Sequence, residues 1–163
     1  MLIRRLKDHV VIDQLDIFSL EILRLIPVSA NPEGCREAED RLYSRPELVE
    51  GEFTEDWEAY VKPELHHLFQ SATETVETDL NSTQEIVPDE GGIEYRLKVP
   101  GTHVEAWVNA VNQARLVIAA KHRFNSADLE GGLPDSIESP RDMALLQIHL
   151  YDFLLLSLLQ ELE

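Results

Sequence analysis

The chain has 163 residues, with 31 Asp and Glu against 14 Lys and Arg, for a formal net charge of -17. That length suits a single domain with its own core. The charge excludes a basic footprint for nucleic acid and works against binding to anionic lipid headgroups.

Apolar residues make up 44% of the chain, as in an ordinary globular protein. The cations cluster only at Arg4, Arg5 and Lys7, followed at once by Asp8, and at Lys121, His122 and Arg123. Cys35 is the single cysteine, so no internal disulfide can form. The stretch Met1 to Asp8 has neither the apolar run nor the small-residue cleavage site of a signal peptide, and the expected compartment is the cytoplasm.

In chain order, residues 2–13 predict a β-hairpin turning at Lys7-Asp8-His9. Asp16 is placed to cap a helix over 16–26, apolar nearly all round and stopped by Pro27. Asn31 followed by Pro32 predicts the start of a short polar surface helix over 32–44, ended by Arg45-Pro46. Thr54 opens the next helix, over 54–79, where Trp57, Val61, Leu65, Leu68, Ala72 and Val76 keep helical spacing. Pro63 must kink or break it, because proline cannot donate to the carbonyl four residues back.

Ile93, Tyr95, Leu97 and Val99 alternate with charged residues, giving a second hairpin over 85–99 turned by Gly91-Gly92. Thr102 and Glu105 have the spacing of a capping box for a helix over 102–124. A mobile loop is expected over 125–139. Ser139, Pro140 and Asp142 then open a last helix over 140–162.

That last helix approaches the length of a membrane span. Gln147, His149, Asp152, Ser157 and Gln160 interrupt it, and an Asp at mid-helix is costly in hydrocarbon. It reads as a buried helix. The expected fold is α+β and predominantly helical: a compact single-domain bundle of four to five helices with two small β-hairpins.

The same order of elements resembles a bacterial family of uncharacterised proteins, the domain-of-unknown-function family numbered two-thousand-and-seventeen. The resemblance is carried by Leu15-Asp16-Ile17-Phe18-Ser19-Leu20-Glu21-Ile22-Leu23, by Trp107, Asn109, Asn112, Arg115 and Leu116 in the helical core, and by Tyr151-Asp152-Phe153. The chain departs from the family in having Phe153 where Trp often follows Tyr-Asp, and in its polar, proline-containing middle. Members are often encoded beside the ClpS protease adaptor in actinobacteria. The resemblance therefore implies a link to regulated proteolysis, and no particular reaction.

No Walker loop, Rossmann fingerprint or nucleophile elbow appears, and no cofactor is expected. The metal alternative rests on Glu64 and His67, at a di-iron-like Glu-x-x-His spacing, together with His149 and Asp152 at the same spacing on the last helix. Arg115 falls inside the apolar stripe of Val104, Trp107, Val108, Val111 and Ile118. Such a charge needs a partner, and Asp152, on an otherwise apolar helix, is the expected one. Asn112 and Trp107 share that helix with Arg115, and Tyr151 is its counterpart in the last helix's core.

On the last helix, Met143, Ala144, Ile148, Tyr151, Leu155, Leu158, Leu159 and Leu162 form one broad apolar face. Leu145, Leu150, Phe153 and Leu156 lie outside it. These surplus apolar residues point to a non-enzymatic interaction or regulatory protein, with self-association or a protein partner and neither nucleic acid nor membrane.

Overall fold

The computed structural model describes residues 1–44, 52–89 and 91–160. The expected Arg45-Pro46 helix end and the reach of the last helix to Leu162 lie outside them. The fold is α+β and predominantly helical, built on one four-stranded antiparallel sheet in the order β1-β2-β4-β3.

Strands β1 (Leu2–Leu6) and β2 (His9–Leu15) form the first hairpin; β3 (Gln84–Ile86) and β4 (Glu94–Pro100) form the second. The two hairpins are not separate. β2 pairs with β4, setting Val10 opposite Val99 and Ile12 opposite Leu97 on the buried face. The register shifts between Ile12 and Leu15, where Gln14 takes a φ of 54° and lets Leu15 turn back into the core. At the other end, Gly101 N–H donates to Asp8 O at 2.7 Å, and a Cβ at Gly101 would lie 2.9 Å from that oxygen. Only glycine allows this approach.

Asp16 caps α1 (Ile17–Arg24), its carboxylate accepting from Ser19 N at 2.6 Å. Pro27 does not stop the chain. It sits in the first turn of α2 (Ile26–Ser29), where its missing N–H would have had no helical partner. The next helix, α3, is shorter than the sequence suggests and spans Arg36–Leu42 with Cys35 as N-cap. Asn31 instead makes a local turn, its side chain accepting from Glu33 N at 2.9 Å, and Gly34 at φ 78° breaks the path before a helix can start. Nor is α3 a loose surface element, since Ala38 and Leu42 are buried against Val117 and Ala120.

Pro63 neither breaks the long helix nor leaves it regular. Helix α4 (Glu52–Asp56) runs through a π-turn over Trp57–Val61 into α5 (Lys62–Leu80). Thr54 thus lies inside α4 rather than at its start. In the π-turn, Lys62 N reaches Trp57 O, one residue further back than in an α-helix. The wide turn absorbs the bond that Pro63 cannot give.

A 3-10 turn over Gly101–His103 leads into α6 (Val104–Lys121), and His103 rather than Thr102 occupies the N-cap, without a side-chain cap. A capping box does form elsewhere. Asn125 and Asp128 exchange bonds of 2.9 and 3.0 Å at the start of α7 (Ser126–Glu130). The segment expected as a mobile loop is therefore partly helical. Arg141 pins it by pairing with Asp128 at 3.0 Å and lying 4.5 Å over the Phe124 ring.

Last comes α8 (Pro140–Gln160), entered through Ser139, whose hydroxyl accepts from Asp142 N at 3.1 Å. The core lies between the sheet and the helices, with Trp107 and Tyr151 its largest fully buried side chains.

Candidate functional site

Helix α6 is the hub of the fold and packs against α2, α3, α5 and α8. Its buried stripe is Val104, Trp107, Ala110, Val111, Ala114, Val117 and Ile118. Val108 is only half-buried. Arg115 lies at the edge of this stripe rather than within it. Its Nε meets Asp152 Oδ1 of α8, with 30% and 34% of the two side chains exposed. Arg115 Nη1 also donates to Asn112 Oδ1 at 3.2 Å. The pair ties α6 to α8 near the surface, where water weakens it.

The buried side of α8 is rotated from the face read in the sequence. Ala144, Gln147, Ile148, Tyr151, Leu154 and Leu158 point inward. Leu159 points outward instead, 42% exposed, beside Phe153 at 49% and Leu156 at 62%. Leu145 and Leu150 are half-buried and flank them. The rotation follows from Tyr151, whose hydroxyl needs a polar partner in the core. It donates to Ile22 O at 2.8 Å and accepts from Gln147 Nε2 at 2.8 Å; Gln147 also donates to Ser29 Oγ at 2.7 Å. Drawing Gln147 and Tyr151 inward aims Phe153 and Leu156 at solvent. By length and composition α8 is apolar enough to cross a membrane, and about a third of its most apolar stretch is buried in the fold.

Two carboxylates that the sequence reading passed over organise the rest. Asp79, buried near the end of α5, accepts from Trp107 Nε1 at 2.9 Å and from His103 Nδ1 at 3.0 and 3.1 Å. A carboxylate at a helix C-terminus faces the negative end of the dipole, so both donors are needed to hold it there. The signal was present in the sequence. Asp79 falls three after Val76 on the apolar stripe of α5, the same anomaly that singled out Arg115. Asp13 on β2 is the second. Arg96 reaches its two oxygens at 3.0 Å each, and Arg4 reaches it at 2.7 Å. The Arg96 guanidinium holds the Asp13 carboxyl below its usual range.

The metal alternative finds no support. Among the described residues, no three His, Cys, Asp or Glu side chains gather around a point where an ion could sit. Glu64 and His67 are exposed on α5, and Asp152 is engaged by Arg115. His149 is half-buried on α8, its Nε2 enclosed without a hydrogen-bond partner. It is His66, next in sequence to His67, that makes a contact across elements: its Nδ1 and the Tyr43 hydroxyl share a hydrogen bond of 2.9 Å. Cys35 lies at the start of α3 with Sγ 3.6 Å from a Glu37 oxygen.

These features define an acidic α+β domain whose ionisable groups near the core tie elements together. The chain belongs to the domain-of-unknown-function family DUF2017, whose model matches residues 21–162. No curated protein and no solved structure gives a significant match to the chain.

Proposed function

We propose that the protein is a non-enzymatic interaction module that docks through the outer face of α8, with a second copy of the chain as the partner that this face fits best. The observation carrying this reading is the solvent exposure of Phe153, Leu156 and Leu159 on one long helix. An apolar strip of this kind on a charged protein marks a contact surface. Two copies carrying -17 each repel one another over most of their surfaces. The strip differs, since the acid beside Phe153 and Leu156, Asp152, is matched by Arg115. An isologous helix-to-helix contact centred there sets apolar side chains and a matched ion pair, rather than bare acids, against one another. Regulated proteolysis, which the family resemblance implies, is the process in which we place this docking.

Light scattering over a range of concentrations tests the proposal. The chain should dimerise, more tightly as salt screens the mutual repulsion. Leu156→Glu and Phe153→Glu change exposed positions and should yield folded monomers. A wild-type chain that stays monomeric at high concentration and high salt sinks the reading. Monomers that bind lipid vesicles through α8 would replace it with a membrane contact.

A further inference from the structure

Apart from the α8 strip, a cavity of about 340 Å³ opens where α2, α3, α5 and α6 meet. The size suits a small organic molecule. Its walls include Pro27, Leu42 and Phe69, with Tyr43 in tilted contact with Phe69 at 5.9 Å between ring centroids. The Tyr43 hydroxyl is hydrogen-bonded to His66, and the ring stands as a wall of the cavity. Gln113, from α6, also lines the cavity. It is only 4% exposed, and its side-chain oxygen has no hydrogen-bond partner. A buried acceptor left unpaired is costly, and a ligand N–H would relieve that cost.

Charge selects the ligand further. Among the described lining residues, Glu33 is the only Asp, Glu, Lys or Arg. The lysines nearby are engaged: Lys121 Nζ donates to Asn31 O at 2.8 Å, and Lys62 pairs with Glu58 at 3.4 Å. Lys62 Nζ also lies 5.7 Å from the Tyr43 ring centroid, so this ring already accepts an ammonium. From these observations we infer that the cavity binds a small organic ammonium ion with an aromatic or branched apolar body. The apolar part packs on Pro27, Leu42 and Phe69, and the ammonium is shared between Gln113 Oε1 and the Glu33 carboxylate. The overall charge of -17 raises the local concentration of such a cation.

The test is a titration of the 15N-labelled full chain with phenethylamine, and in parallel with 2-phenylethanol, its near-isosteric neutral counterpart. Saturable shifts centred on the Gln113 side-chain amide and on residues 30–33, 43 and 66–70 are expected, with 2-phenylethanol at least tenfold weaker. Glu33→Gln, at an exposed position, should weaken phenethylamine several-fold and leave 2-phenylethanol unchanged. Gln113→Leu should remove most of the preference for the amine, its dispersed spectrum showing that it remains folded. The inference is overturned by equal binding of the two probes, by shifts that spread over the acidic surface without saturating, by no shifts at all, or by an amine preference that survives both substitutions.

Discussion

Trp107 on α6 donates its indole N–H to Asp79 on α5 at 2.9 Å, inside the protein and at the negative end of the helix that carries the acid. Removing the acceptor strands the indole N–H and releases His103 from its bifurcated bond. Asp79→Ala should therefore cost about 1–3 kcal/mol. His103→Ala should cost less, because that ring is partly open to water and the Trp107 bond survives it. Urea denaturation followed by tryptophan fluorescence measures both, and equal costs would contradict the ranking.

Burial pushes the Tyr151 hydroxyl up to about 12, against about 10 in an unfolded chain. Between those values the unfolded chain releases its proton and the folded one retains it. This stabilisation is thus whole below about pH 10 and is lost as pH rises through the folded value. Tyr151→Phe should flatten the alkaline fall in stability. At neutral pH it should cost about 1 kcal/mol, because the Ile22 carbonyl loses its donor. Thermal melts from pH 8 to pH 12 provide the comparison.

Asp13 has the opposite sign. Arg96 holds its carboxyl below the ordinary range, so its contribution is present above that range and is lost as pH falls through the folded value. Asp13→Asn should cost about 1–2 kcal/mol at pH 7, less than for a fully buried pair because Arg4 and Arg96 are partly exposed. The difference between wild type and variant should vanish in strong acid. A penalty that is unchanged at pH 2 would mean that packing rather than charge carries it.

For Arg115 and Asp152, each about a third exposed, a double-mutant cycle to alanine should give a coupling of about 0.5–1 kcal/mol. Raising the salt to about 1 M should reduce it. A coupling of zero at low salt would leave packing alone to fix α8 on α6.

The sequence marks elements most clearly where one period dominates. The alternation of Tyr95, Leu97 and Val99 belongs to a strand buried on one face, although Ile93, which continues the pattern, lies before β4 and is exposed, and the spacing around Trp107 belongs to a helix at the hub. Local chemistry misleads where a later turn competes for it. Asn31-Pro32 has the signature of a helix start, but Gly34 intervenes. Thr102 has the signature of a cap, yet the 3-10 turn displaces the start of α6 to Val104. Pairing between hairpins was not legible at all, since nothing local says that β2 lies beside β4. On α8 an apolar count alone could not orient the helix. Gln147 turns inward because Tyr151 needs a partner there, a tertiary requirement that no periodicity records. Asp79 shows the reverse case: the clue was an acid on an apolar stripe, and its donors His103 and Trp107 lie four residues apart on another element.

The order β1-β2-β4-β3 has a consequence for where this fold can be cut. The stretch shared with the family starts at residue 21, downstream of β2, which occupies an inner position in the sheet. A polypeptide begun at residue 21 would retain only the β3–β4 hairpin, with Leu97 and Val99 stripped of Ile12 and Val10 across from them. A two-stranded ribbon with a newly bared edge on β4 is prone to stick to its neighbours. The first twenty residues therefore complete the sheet, and a chain cut back to the matched stretch is expected to be less soluble than the full one, which its yield in the soluble fraction would show.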